Sequence, residues 1–200
     1  LIRTRLPLLS RAAHFIAHPA IRNRGTIGGS IALADPAAEW PACMLALGAQ
    51  MRLRSHAGER TIAARDFFVD VYETALQPDE ILTAIEIPLP PPGGFMLFDE
   101  FSRRHGDFAL VGLALCGRLE AGRIAHLAFG YLGVGRRPEA VPKAAAQLLG
   151  LSPQEAAERV GDLLTAEIEP MNDHHASAEY RMHLAGLLAR RLLLAAGTAN

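Results

Sequence analysis

The sequence has little of what marks a secreted, membrane or nucleic-acid-binding protein. Its 200 residues include only two cysteines, Cys43 and Cys116. Two are too few for a disulfide framework and fit a reducing compartment, so a cytoplasmic location is expected. They also cannot supply the four thiolates of an iron–sulfur cluster, so any such cluster belongs to another chain. Neither sign of charge is in excess, with 20 Lys and Arg against 21 Asp and Glu. A basic footprint for nucleic acid is therefore missing. No apolar run reaches the length of a membrane span; the longest, 184–196, is broken by Arg190 and Arg191. The N-terminus lacks the basic, apolar, small-residue order of a secretory signal. It also lacks Met. Leu1 opens a stretch, LIRTRLPLLSRAAHFIAHP, that reads as the middle of a structured region, and residues upstream of it are expected.

Several catalytic signatures are missing too. There is no GxGxxG fingerprint, no GxxxxGKS/T phosphate loop, no GxSxG elbow and no HExxH. His174-His175 has no third ligand at a useful spacing, so no metal centre is expected. Cys43 falls on the apolar face of an expected helix and Cys116 inside an expected strand, which makes both inert core thiols.

What the chain does have is one dense cluster, Arg22-Asn23-Arg24-Gly25-Thr26-Ile27-Gly28-Gly29-Ser30. Glycine permits positive φ and close approach of a ligand to the backbone. Successive exposed N–H groups then form a concave anion site, with Arg22, Arg24 and His18 as nearby cations. Spacing alone leaves two readings open, a phosphate cradle or a tight turn between elements. Asp35 and Glu39 follow closely enough to accept hydrogen bonds from ligand hydroxyls, or to cap a helix. The cluster 101–108, with Arg103, Arg104, His105 and Asp107, reads as a loop that either lines a site or is a solvated turn.

Elsewhere the pattern predicts structure. Pro7 opens a short helix, and a second helix starts near Glu39 and stops at Gly48. Alternation predicts strands over 51–55, 60–63 and 81–87, with Ile81, Ile85 and Ile87 on one face and Leu82 off that register. The stretch 88–94, PLPPPGG, is a linker that places a domain boundary near 90–95. Strands then follow over 95–103, 109–120 and 123–132, with a hairpin turn at 120–123. Helices come last, one opened by Ser152 with Glu155 as a capping box and one opened by Ser177. Three strands followed by three helices define an α+β unit.

Four blocks carry a specific resemblance: IRNRGTIGGSIALADPAAEWPACMLALGA, RDFFVDVYETALQPDEILTAIEIP, FSRRHGDFALVGLAL and SAEYRMHLAGLLARRLL. In order and spacing they resemble the FAD-binding medium subunit of molybdenum hydroxylases, the family of carbon monoxide dehydrogenase and xanthine dehydrogenase. The resemblance implies an α+β chain. Residues 1–92 would be the second lobe of a PCMH-type FAD-binding domain, with the first lobe missing. Residues 95–197 would be a C-terminal domain of a three-stranded antiparallel sheet packed with three helices. It implies FAD as cofactor, with the molybdenum cofactor in a large partner subunit and iron–sulfur clusters in a small one. Electrons would pass through FAD to an external acceptor such as NAD or a quinone. The alternative is a remnant that docks with its partners without retaining FAD.

Carried over residue by residue, the resemblance makes Thr26, Ile27, Gly28, Gly29 and Ser30 the FAD loop. Glu39 takes a position usually held by an Asp that contacts the cofactor. Ile16 lies against the isoalloxazine ring, and Leu82 contacts it from the later strand. Asp99 and Glu100 stand where many members place a Lys near the flavin, and Arg104 and Asp107 belong to the loop beside the ring. Three departures stand out: Glu39 for Asp, Trp40 for Leu, and the acidic pair in place of a cation.

Overall fold

The computed structural model describes residues 2–90, 92–104 and 106–198. Pro91 of the expected linker and His105 of the 101–108 cluster lie outside these. Five short helices come first: α1 (Ile2–Arg5), α2 (Pro7–Ala12), α3 (Pro19–Arg22), α4 (Ile27–Leu33) and α5 (Glu39–Ala46). Then follow β1 (Gln50–Ser55), β2 (Gly58–Ala63), α6 (Ala64–Phe67), β3 (Phe68–Asp70), β4 (Glu73–Thr74) and β5 (Ile81–Glu86). The second half holds β6 (Gly94–Ser102), β7 (Ala109–Glu120), β8 (Arg123–Leu132), α7 (Pro142–Leu148), α8 (Pro153–Leu164) and α9 (Ala178–Ala196). Pro7, Pro19, Pro142 and Pro153 each open a helix, where the missing N–H costs nothing.

The named strands pair antiparallel, in the orders β2-β1-β5, β3-β4 and β6-β7-β8. The β7–β8 hairpin turns through Ala121 and Gly122, both at positive φ (49° and 75°), as a two-residue turn of this twist requires. Ser152 and Glu155 form the expected capping box, and the Ser177 hydroxyl caps α9.

The chain is α+β, and the sheet β6-β7-β8 is its centre. Val111, Leu113 and Leu115 on one face join the core made with α7, α8 and α9. Ala114 and Cys116 on the other face join a second core with Leu8, Leu9, Ala42, Met44 and Phe67. Side chains on a strand alternate between faces, so β7 is buried on both sides because each face has its own cover. Residues before β6 and residues of the β6-β7-β8 sheet thus share one packed seam.

One expected register changes. Leu82 and Ile85, not Ile81, pack toward the core, and Ile81 is exposed. β5 pairs Ala84 with Arg52 and Leu82 with Leu53, which leaves Thr83 as an extra residue. The bulge shifts the alternation by one, and the Thr83 hydroxyl donates to the Arg52 carbonyl at 3.1 Å.

Candidate functional site

The glycine cluster folds as the first turn of α4, not as an open loop. Thr26 is its N-cap, and its Oγ1 accepts the Gly29 N–H at 3.0 Å. Neither Gly25, Gly28 nor Gly29 takes positive φ, so their role is room and not backbone freedom. A Cβ at Gly29 would lie 2.8 Å from Thr26 Oγ1, so a larger residue there would make the capping hydroxyl shift. A Cβ at Gly28 would meet nothing within 4 Å. The chain itself therefore gives Gly28 no reason to be glycine, and the open space beside it suits a molecule that approaches the backbone. The N–H groups of Ile27 and Gly28 have no acceptor within the helix. Ile27 is exposed and Ser30 half-buried.

Arg22 is not a free cation. Its guanidinium donates to the carbonyls of Ala13 (3.1 Å), His14 (3.3 Å), Ile16 (3.1 Å) and Ala17 (3.5 Å). It ties down the segment that carries Ile16 and Phe15. Phe15 in turn packs on Phe98 of β6, with ring centroids 5.2 Å apart. Further along, the imidazole of His18 fills the space a Cβ would need at Gly106, whose φ is +90°. The Ile16 segment and the Arg104–Asp107 loop are therefore in contact through His18 and Gly106. Within that loop the Asp107 N–H donates to the Arg104 carbonyl at 3.1 Å, and both side chains are exposed. Leu82 reaches the same half from β5, which packs beside α4.

After α4 the chain turns at Ala34 in the left-handed region (φ 55°). Asp35 caps the turn by accepting the Ala37 N–H at 2.8 Å, and accepts the Tyr72 hydroxyl at 3.4 Å. Glu39 is the first residue of α5 and half-buried. Burial pushes its carboxyl up to about 7, against a backbone hydrogen bond that lowers it and with Asp35 raising it further. A groove of about 600 Å³ opens beside Asp35, between Tyr72, Arg103, Asp107, Phe108 and Arg181.

The acidic pair on β6 is split. Glu100 faces the N-terminal half and is buried, and Asp99 lies on the opposite face, ion-paired with Arg191 of α9. Adjacent strand residues point to opposite faces, so the two cannot serve one cavity. Glu100 stands on β6, the Ile16 segment packs on β6 through Phe15 and touches the loop of Arg104 and Asp107 through His18 and Gly106, Glu39 opens α5, and Thr26–Ser30 with Leu82 lie along α4 and β5. The sequence reading does not single out Phe15 or Tyr72; it groups Arg22 with the anion-binding cations, whereas the guanidinium holds the 13–17 segment.

The arrangement is thus a capped glycine turn, an apolar segment held by Arg22, and a buried acid, gathered on one side of a sheet. Residues 1–90 match the profile of the FAD-binding domain in molybdopterin dehydrogenase, and residues 96–196 that of the CO dehydrogenase flavoprotein C-terminal domain. The nicotine 6-hydroxylase medium subunit of Paenarthrobacter nicotinovorans is 41% identical over 194 residues, covering 96% of this chain and 68% of that protein. The carbon monoxide dehydrogenase medium chain of Afipia carboxidovorans is 35% identical over 191 residues, covering 95% of this chain and 66% of that one. The solved carbon monoxide dehydrogenase from Hydrogenophaga pseudoflava superposes with a TM-score of 0.94 at 35% identity, over 98% of this chain and 69% of that one. Quinoline 2-oxidoreductase from Pseudomonas putida 86 gives 0.89 at 36% identity, over 98% and 69%. The chain belongs to the family of medium, FAD-binding subunits of molybdenum hydroxylases. It spans about two thirds of the length of these relatives.

Proposed function

We propose that this chain holds FAD and serves as the electron-transfer subunit of a cytoplasmic molybdenum hydroxylase. Its partners in this reading are a large subunit with the molybdenum cofactor and a small subunit with iron–sulfur clusters. The electrons leave to an external acceptor such as NAD or a quinone. The flavin supplies the redox chemistry when bound, and the protein positions and tunes it.

The observation that carries the reading is the first turn of α4, where Thr26 closes over Gly29 while Gly28 stays open. That turn offers the N–H groups of Ile27 and Gly28 to a phosphate oxygen, and the Ser30 hydroxyl stands one turn in. Glu39 accepts from a ligand hydroxyl. Ile16 and Leu82 provide apolar contact for a flat ring, and Arg104 and Asp107 border it. Glu100 stands on the same face of β6 as Phe98, on which Phe15 packs. Asp99 has no part here, because Arg191 holds it on the far face.

The test is an FAD titration of the purified chain, followed by flavin absorbance and quenching of flavin fluorescence. Retention by the wild type, and its loss in Gly28→Val with an unchanged unfolding temperature, is the expected result. Equal retention by Gly28→Val overturns the loop assignment. A wild type that stays colourless under excess FAD supports the other reading, a docking remnant without flavin.

A further inference from the structure

The outer edge of β8 is closed at both ends and open between them. At one end the Tyr131 N–H donates to the Glu139 carbonyl at 2.8 Å, and the Glu139 N–H donates back to the Tyr131 carbonyl at 3.1 Å. At the other end the Ile124 N–H donates to the Leu151 carbonyl at 2.9 Å, and the Gly150 N–H donates to the Ile124 carbonyl at 2.8 Å. β7 takes the inner edge along its length. Residues of an antiparallel strand turn their backbone polar groups alternately to one side and the other. Tyr131 turns its N–H and C=O outward, so Phe129 and Leu127 do the same. Among the described residues, nothing pairs with the outward groups of Leu127 and Phe129.

These groups do not face a flat surface. Leu127 and Phe129 line a cleft of about 530 Å³, a size typical of small-molecule sites. Leu45, Ala49 and Ala64 line it from the chain before β6, and Val141 and Ala145 line it from the start of α7. The cleft is thus apolar, with a few backbone donors and acceptors converging on it, and it lies where two parts of the fold meet. Its charged groups are already matched. Arg65 pairs with Asp66 at 3.5 Å and Arg137 with Glu139 at 3.6 Å, and Arg137 also donates to the Phe68 carbonyl at 3.4 Å. No net charge is left to attract an ion.

We propose that this cleft binds a small, flat, neutral ring with an amide edge, of the lactam type. The ligand carbonyl accepts an outward N–H of β8, the ligand N–H donates to an outward carbonyl, and the ring lies against Leu45, Ala64, Val141 and Ala145. Backbone groups without a partner beside buried side chains such as Phe129, 2% exposed, are costly, and such a ligand satisfies them. A peptide strand fits less well. To run on along β8 it would need the places that Glu139 and Leu151 already hold. None of the residues assigned to FAD lines the cleft, so the proposal stands whether or not flavin is bound.

The test titrates oxindole, a flat bicyclic lactam, into the full nitrogen-15-labelled chain and follows the backbone amides by NMR. N-methyloxindole, which lacks the donor, is the paired probe. Saturable shifts of the Leu127 and Phe129 amides are expected with oxindole, and binding of the N-methyl analogue should be weaker by about tenfold or more, because it leaves a carbonyl unpaired. No saturable shift up to the solubility of oxindole overturns the proposal, and so do shifts that gather away from β8 and α7. Equal affinity for the two probes overturns it as well, since the edge then plays no part in recognition. An acetylated valine–threonine hexapeptide is run alongside. If it moves these amides and oxindole does not, the edge receives a polypeptide and the small-ligand site is overturned.

Discussion

The Ala42 carbonyl oxygen of α5 lies 1.9 Å from where a Cβ on Gly130 would stand. Backbone meets backbone there, with the Ala46 nitrogen 3.1 Å from the same point. Neither side has a flexible side chain to move aside. This contact lets α5 sit directly on β8, and it holds Glu39 and the seam in place. Gly130→Ala should therefore cost about 3 kcal/mol, the upper part of the range for overpacking. For a chain of this size that lowers the unfolding temperature by about 6–12 °C. Calorimetry on the purified variant checks it, and an unchanged midpoint would mean that α5 rides higher than described.

Thr26 and Gly28 should separate stability from binding. Thr26→Ala removes the cap on α4 and should cost about 1 kcal/mol. Gly28→Ala adds a methyl to open space and should leave folding unchanged or slightly improved, since alanine favours helix. The same methyl narrows the approach to the backbone. Denaturant titration read beside FAD affinity distinguishes the two. Thr26→Ala should shift the denaturation midpoint, and Gly28→Ala should weaken only the flavin.

The parts legible in the sequence were the local ones. The Ser152–Glu155 capping box, the 120–123 hairpin and the helix opened by Ser177 each depend on residues within a few positions of one another. What stayed hidden was set by distant partners. Nothing near Arg22 in the chain says that its guanidinium will bind four carbonyls of the preceding turn. The bulge at Thr83 moved Leu82 inward because β1 fixes the register from outside. The separation of Asp99 from Glu100, by contrast, was available. A strand over 95–103 already puts neighbours on opposite faces, and treating the two as one block overlooked that alternation.

Arg181 should be the least tolerant charged residue. It is 2% exposed, donates to the carbonyls of Leu110 and Gly133, and pairs with Asp173 at 2.7 Å. It thus ties the start of β7, the end of β8 and the loop before α9 together. Arg181→Met strands two carbonyls and a carboxylate, and should cost about 3–5 kcal/mol. The pair should also show on the acid side. Burial alone would raise Asp173, but the Arg181 hydrogen bond and the N–H groups of Ala176 and His175 outweigh it and hold the carboxyl at about 2. A depressed carboxyl stabilises the fold above its unfolded value and loses that contribution as pH falls toward its folded one. Acid unfolding of Asp173→Asn should accordingly show a shallower pH dependence below about pH 4 than the wild type.

Arg22 offers a test of positioning without contact. Its four carbonyl acceptors all lie in 13–17, the segment that carries Phe15 and Ile16. Arg22 is half-buried, and the core residues Leu8, Leu9 and Ala12 lie on the helix before that segment. Removing the guanidinium should therefore cost the global fold about 1 kcal/mol or less, within the range of a partly solvated hydrogen-bonding group. The segment itself should loosen, because a single side chain supplies most of its carbonyl partners. Arg22→Gln should then show faster amide exchange through 14–18, an unchanged rate in β7, and weaker FAD retention. All four contacts come from Nη1 alone; Arg22→Lys keeps the charge, but its shorter side chain stops short of that nitrogen's place among the carbonyls, so it should resemble Gln more than wild type. If Lys restores retention in full, charge and not geometry is what Arg22 provides, and it returns to the role of an anion-attracting cation.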